Sequence, residues 1–88
     1  MNMNMNDQKV FVPDDFYCPI TGELMKEPVS EPNGGHTYEK SAILRWLHNN
    51  SISPMTRIPL KPDQLTDNKA LKKSIDCIRD KLNEDQLS

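Results

Sequence analysis

The residues of this chain best suited to bind a metal or attack a substrate are two cysteines and two histidines: Cys18, His36, His48 and Cys77. A structural zinc site needs four such ligands, usually drawn from pairs a few residues apart. These four residues lie far apart in the sequence and form no close pair. The sequence therefore predicts no metal site and no cofactor, so any loop-rich region must be held by other contacts.

The sequence does not indicate covalent catalysis either. It contains no Ser-His-Asp arrangement and no glycine-rich phosphate loop. Cys77 lies beside Ile78 at the margin of a predicted apolar helix face, with no histidine nearby in the sequence to activate it. We interpret Cys77 as a buried, unreactive thiol and Cys18 as a small packed residue.

The composition is that of one small domain. Of the 88 residues, 35% are hydrophobic and 27% are charged, and the net charge of −2 provides no basic surface for nucleic acid. The longest aliphatic run, residues 42–44, is too short to cross a membrane, and residues 1–7 do not resemble a signal peptide. Two cysteines make no disulfide framework. We expect a soluble protein of the cytoplasm or nucleus, without nucleic-acid or membrane partners.

Prolines and polar runs divide the chain into its expected parts. Residues 1–9 are predicted to be a disordered tail, residues 10–82 a domain, and residues 83–88 a frayed end. Within the domain, residues 13–28 and 53–65 contain the helix-breaking residues typical of long loops.

A strong turn signal, Pro32-Asn33-Gly34-Gly35, lies between the two loops. Because Asn and Gly accept positive φ, this segment can reverse the chain between residues 29–30 and residues 36–38. The sequence therefore predicts a short β-hairpin.

Two helices are predicted from apolar spacing. Residues 39–49 contain no Gly or Pro, and three apolar residues share one predicted face: Ile43, Leu44 and Leu47. Asp67 or Asn68 can cap a second helix, since their side chains accept hydrogen bonds from its first N–H groups. The second helix has an apolar stripe: Leu71, Ile75, Ile78 and Leu82.

Five segments, in order and with similar gaps, resemble the U-box family: CPIT with ELMKEPV, GHTYEK, ILRWL, PMTR with PL, and NKALK. The resemblance covers about residues 15–80. The U-box is the metal-free relative of the zinc-binding RING. The resemblance therefore implies a small α+β, RING-like fold without zinc, with two long loops, a short β-hairpin, a central helix and a C-terminal amphipathic helix.

The resemblance also implies a function as a ubiquitin ligase module. Such a module binds a conjugating enzyme that carries ubiquitin as a thioester, and orients that thioester for attack by a substrate lysine. It forms no covalent intermediate on itself. The expected partners are a ubiquitin-conjugating enzyme, ubiquitin and a protein substrate that the sequence does not identify.

Four residues are expected, from the resemblance, to contact the conjugating enzyme: Ile20, Thr21, Trp46 and Pro54. Ile20 lies between Pro19 and Thr21, which favours a projecting loop tip, although a core position is the alternative. Pro54 is expected to pack beside Ile20 and complete an apolar groove, besides stiffening its loop. For Trp46, a core role and a contact role stay equally open.

Arg57 is the residue to which the resemblance assigns the catalytic, orienting role, bridging the conjugating enzyme and its ubiquitin. Its alternative role is an ion pair that joins the two loops. Several polar residues are candidates for the network that replaces zinc: Glu23, Lys26, Glu39 and Asn68, with Arg57 as a further member.

Gly22 departs from the family pattern, which commonly has a bulky apolar residue there. It supports an alternative in which the fold is an interaction or homodimerisation module without ligase activity. Bacterial pathogens deliver U-box effectors into host cells, so a bacterial effector acting in the host cytosol is a further alternative for this chain.

Overall fold

The computed structural model describes the backbone of residues 11–87 and the side chains of residues 11–83. The predicted disordered tail, residues 1–9, lies outside the described residues. The helices and strands are β1 (Pro28–Ser30), β2 (Thr37–Glu39), α1 (Lys40–Asn49), β3 (Thr66–Asp67) and α2 (Lys69–Leu87). This order confirms the predicted α+β fold, with a hairpin before a central helix and a long helix at the end.

The hairpin forms where the turn signal predicts it. Asn33 and Gly34 adopt φ values of 61° and 70°, which Asn and Gly tolerate better than other residues. β1 pairs antiparallel with β2 on one side and with β3 on the other, giving the strand order β2-β1-β3. β3 was not predicted, because its two residues show no strand pattern of their own and depend on pairing with β1.

Helix α1 packs its buried face onto the sheet through Ile43 and Leu47. The prediction that Leu44 shares this face was wrong, since the Leu44 side chain is 38% exposed. Residues four apart lie on the same side of a helix, whereas Leu44 is turned about 100° away from Ile43. Leu44 therefore belongs to the outer surface of the domain.

Helix α2 is capped by Asn68, whose Oδ1 accepts a hydrogen bond from the Leu71 N–H at 3.0 Å. Ile75 is the most deeply buried residue of its apolar stripe, and Arg79 donates from Nη2 to the Met25 carbonyl at 2.7 Å. The helix continues to Leu87, through residues that were predicted to form a frayed end. The predicted limits of the domain, residues 10 and 82, remain a prediction.

The core draws on both long loops as well as on the helices and strands. Its buried residues are Cys18, Met25, Val29, Tyr38, Ile43, Leu47, Leu60 and Ile75. Cys18 and Met25 come from the first loop and Leu60 from the second, so each loop is fixed to the domain by its own apolar anchor.

The cysteine and histidine side chains do not converge. Cys18 is buried, whereas Cys77 is exposed on α2, so the prediction of a buried Cys77 thiol was wrong. Cys77 is offset along the helix from Ile75 and Ile78 and falls on the outer side of the stripe. Within the described part of the chain, no three His, Cys, Asp or Glu side chains are grouped as metal ligands would be. None of the helices described is both long and apolar enough to span a membrane.

Candidate functional site

The first loop turns sharply at its tip and presents Ile20. The Cys18 N–H donates to the Glu23 carbonyl at 2.9 Å, and the Gly22 N–H donates to the Cys18 carbonyl at 2.7 Å. Thr21 fixes the same turn, since its Oγ1 accepts from the Glu23 N–H at 3.0 Å. These bonds place the Ile20 side chain outside the buried core, 39% exposed.

The second loop is built around Ser53. The Ser53 Oγ accepts hydrogen bonds from the N–H groups of Met55 and Thr56, both at 3.1 Å. Its backbone completes the turn, because its carbonyl accepts from the Arg57 N–H at 3.0 Å and its N–H donates to the Ile58 carbonyl at 2.8 Å. A single buried serine therefore orders the whole segment from Ser53 to Ile58.

Arg57 lies in this turn with its side chain exposed. Its φ of 66° is in the left-handed region, which costs a non-glycine residue about 1 kcal/mol. Among the side chains that the structure describes, no carboxylate forms an ion pair with the Arg57 guanidinium. The alternative role of Arg57, an ion pair between the loops, therefore has no partner among residues 11–83.

A buried carboxylate connects the hairpin to the second loop. Glu31 is 8% exposed, and its Oε2 accepts hydrogen bonds from the Tyr38 hydroxyl and, at 2.5 Å, from the Ser53 hydroxyl. The side chains of Tyr38 and Ser53 are themselves almost wholly buried. We call Glu31, Tyr38 and Ser53 the carboxylate network. It joins the hairpin to the second loop, which is distant from it in the sequence.

The sequence analysis missed the carboxylate network. Glu31 precedes Pro32 at a turn, where a charged residue usually faces solvent. The available signal was Tyr38: a tyrosine in a hairpin strand, if its ring is buried, needs a partner for its hydroxyl.

The residues proposed to replace zinc are distributed over a second set of contacts. The Glu39 carboxylate accepts from the N–H groups of Lys26 and Glu27, at 2.7 and 2.9 Å, and so ties the first loop to the start of α1. Lys26 takes part through its backbone. Asn68 donates from Nδ2 to the Ser30 Oγ at 3.2 Å. Glu23 contributes its backbone carbonyl and N–H, and its side chain is exposed.

Trp46 joins α1 to the second loop. Its Nε1 donates to the Ile52 carbonyl at 2.7 Å, while its ring packs partly against the core. The Trp46 indole therefore contributes to the core but is only partly buried. A direct contact with a partner stays a prediction.

Exposed apolar side chains occur on the first loop, on α1 and on the second loop. Ile20 is exposed on the first loop and Leu44 on α1. On the second loop, Met55 is 50% exposed and Ile58 is 64% exposed, and the sequence analysis had singled out neither. Pro54, which precedes Met55, is half-buried. The expected packing of Pro54 beside Ile20 stays a prediction.

The comparisons with known proteins agree on one family. The U-box domain model matches residues 12–84. The chain is 49% identical over 76 residues to "WD repeat, SAM and U-box domain-containing protein 1" of Gallus gallus, covering 85% of this chain and 16% of that protein. It is 43% identical over 76 residues to the "Probable bifunctional E2/E3 enzyme R795" of Acanthamoeba polyphaga mimivirus, covering 84% of this chain and 6% of that protein.

The fold is also similar to a solved structure, the RING finger-like domain of Retinoblastoma Binding Protein-6, with a TM-score of 0.71 and 25% identity over 78% of each chain. By contrast, the chain spans only a small part of the two curated relatives, 16% and 6% of their lengths. Those relatives come from a bird and from a virus of amoebae, so they give no support to the alternative of a bacterial effector.

Replacing Tyr38 by Phe tests the carboxylate network through its pH dependence. Burial, reinforced by the hydrogen bond to Glu31, raises the pKa of Tyr38 from 10.0 to about 12. Below pH 10 the hydroxyl stays protonated in the folded and unfolded states. Between pH 10 and 12 only the unfolded state ionises, so the free energy of unfolding should fall by about 1.4 kcal/mol per pH unit.

The Tyr38→Phe protein has no ionisable hydroxyl at this position, so its free energy of unfolding should not show this fall between pH 10 and 12. At neutral pH it should be less stable than the wild type by about 1–3 kcal/mol, and the difference should shrink as the pH rises from 10 to 12. Urea unfolding measured across this range gives the comparison, with the exposed Tyr17→Phe as the control. A difference between wild type and Tyr38→Phe that stays constant with pH would contradict the assignment.

Proposed function

The chain belongs to the U-box family, and from this we infer that it acts as a ubiquitin ligase module. It binds a conjugating enzyme charged with ubiquitin through the apolar residues of its two loops, and it promotes transfer of that ubiquitin to a lysine. The observation that supports this best is that Ile20 and Arg57 are both exposed, each on a loop fixed by internal hydrogen bonds.

Ile20 provides the binding contact in this proposal. The turn from Cys18 to Glu23 holds its side chain at the loop tip, so little conformational entropy is lost when a partner covers it. Exposed Met55 and half-buried Pro54 add apolar surface on the second loop. A shallow apolar site of this kind suits a transient partner, because the conjugating enzyme must leave after each transfer.

Arg57 provides the orienting contact. A guanidinium can donate to two acceptors at once, and so can hold ubiquitin against the conjugating enzyme in one arrangement. Restricting the thioester in this way accelerates attack by a lysine without any group on the ligase forming a bond to ubiquitin. The left-handed backbone at Arg57 fixes the direction in which this side chain leaves the loop.

An interaction or homodimerisation module without ligase activity is the competing proposal, and Gly22 is its support. Gly22 has a φ of 73°, and a Cβ added there would meet no atom within 4 Å. The position is therefore open to solvent and contributes no apolar contact. The alternative predicts a folded protein that discharges no conjugating enzyme, whereas ligase activity predicts discharge that depends on Ile20 and Arg57.

Replacing Ile20 by Ala should weaken binding to the conjugating enzyme with little effect on stability. Truncating a central apolar anchor weakens the free energy of binding by roughly 1–3 kcal/mol, while a surface substitution changes the free energy of unfolding by about 0.5 kcal/mol or less. Titration calorimetry and thermal melting measure the two quantities on the same samples. Ile20→Leu keeps the apolar area and should bind nearly as the wild type does. Unchanged binding by Ile20→Ala would contradict the contact role.

Replacing Arg57 by Gly should separate binding from transfer. Glycine adopts the left-handed backbone without strain, so the variant should melt close to the wild type. It should bind the uncharged conjugating enzyme within about twofold, yet discharge ubiquitin to free lysine at least about tenfold more slowly, because the orienting contact acts mainly in the reactive arrangement.

Two further variants complete the Arg57 experiment. Arg57→Lys keeps the charge and the backbone strain but offers one ammonium, so it should restore little of the discharge rate. Lys73→Ala removes an exposed positive charge on α2 and should discharge normally. Wild-type discharge by a folded Arg57→Gly protein would refute the orienting role.

A further inference from the structure

A cavity of about 370 Å³ lies between the hairpin turn and the second loop, away from the first loop. Its apolar lining includes Pro32, Ile58 and Pro59, and its polar lining includes Glu31 and Gln64. Neither Ile20 nor Trp46 lines this cavity. It is therefore separate from the first-loop contact proposed for the conjugating enzyme.

One carboxylate oxygen at this cavity has no partner among the described residues. Both hydroxyl donors of the carboxylate network bind the Oε2 atom of Glu31, and Oε1 accepts no hydrogen bond from residues 11–83. No cationic side chain in that range forms an ion pair with Glu31. Because Glu31 is only 8% exposed, a hydrogen-bond donor that binds this carboxylate oxygen would lower the free energy cost of burying it.

Gly35 packs closely against the Glu31 carboxylate. A Cβ added at Gly35 would lie 2.9 Å from the Glu31 Oε1, closer than such atoms can approach without displacement. Gly35 also lines the cavity, so a methyl group there would press on the Glu31 carboxylate at the cavity wall. Its φ of −74° is ordinary for any residue, so the glycine is explained by this close approach rather than by backbone conformation.

We propose that this cavity binds the side chain of a lysine presented by a partner protein. The ammonium donates to the Glu31 Oε1, and the aliphatic stem packs against Ile58, Pro59 and Pro32. A single unpartnered oxygen suits the compact ammonium group, whereas a guanidinium is best matched by two acceptors side by side. Calcium and magnesium ions need six or more oxygen ligands, which a single carboxylate oxygen does not supply.

The lysine held here is a docking lysine and not the acceptor of ubiquitin. An ammonium beside a carboxylate is favoured in its protonated form, which is not nucleophilic. The site therefore adds recognition of a partner to the module and does not depend on its transfer activity.

A titration with n-butylammonium, which copies the lysine stem and head group, tests the proposal on the whole 88-residue chain labelled with ¹⁵N. The amides of Gly35, Thr56 and Ile58 should shift together, with a dissociation constant of about 1–10 mM. N-acetyl-lysine-N-methylamide, which presents the same group on a peptide backbone, should shift the same amides. The neutral 1-butanol should bind at least about tenfold more weakly.

Two variants remove the site in different ways. Glu31→Gln deletes the charge while its amide oxygen can still accept from Tyr38 and Ser53, and it should weaken n-butylammonium binding at least about tenfold. Gly35→Ala keeps the charge but presses a methyl group against Oε1, and it should weaken binding by a similar factor. Glu23→Gln, an exposed carboxylate on the first loop, is the control and should bind normally.

Melting of each variant identifies any that does not fold, and either folded cavity variant suffices for the comparison. Three results would overturn the proposal: no amide shifts in the wild type up to about 100 mM probe, equal binding of 1-butanol, or wild-type binding by a folded Glu31→Gln or Gly35→Ala protein.

Discussion

The buried carboxylate of Glu31 is the interaction on which the rest of this small domain depends. Burying an ionised carboxylate is costly unless hydrogen bonds replace its hydration. Here the hydroxyls of Tyr38 and Ser53 supply two of those bonds. Because these residues come from a hairpin strand and from the second loop, satisfying the carboxylate forces the two segments together. The carboxylate network joins chain segments in the way that a bound metal joins its ligands.

The proposed transfer surface follows from this constraint. Once Ser53 is fixed by Glu31, its Oγ and backbone atoms order the turn that contains Arg57. Glu39 and Trp46 connect the first and second loops to α1 in a similar way. A ligase that works by orientation needs rigid loops, since a mobile Arg57 would lose the entropic advantage of holding two partners in one arrangement. Stability and proposed function therefore rest on the same hydrogen bonds.

Local signals in the sequence were sufficient for much of the fold. Asn33 and Gly34 predict the hairpin because they accept the positive φ that its turn requires. The spacing of Ile43 with Leu47 predicts the buried face of α1. Asp67 or Asn68 was predicted as a helix cap, and Asn68 is the cap. These features depend on a few neighbouring residues, so the sequence alone contains them.

Other features depend on contacts between distant segments. The burial of Glu31 is decided by Tyr38 and Ser53, so nothing next to Glu31 in the sequence indicates it. The exposure of Leu44 and Cys77 depends on how each helix is rotated against the sheet, which an apolar stripe defines only approximately. For the candidate site, the exposed tip at Ile20 was predictable from its polar and proline neighbours, but the cavity beside Gly35 was not.

Amide hydrogen exchange of Glu31→Ala, compared with the wild type, tests most directly whether the carboxylate network holds the second loop. The variant leaves the Ser53 hydroxyl without its carboxylate acceptor, so the N–H groups of Met55, Thr56 and Arg57 should lose protection by about tenfold more than the amides of α1 do. This result would show a loop released locally from an otherwise folded domain. An equal loss of protection in the second loop and in α1 would contradict the account, because it would mean that Glu31 affects only the global stability.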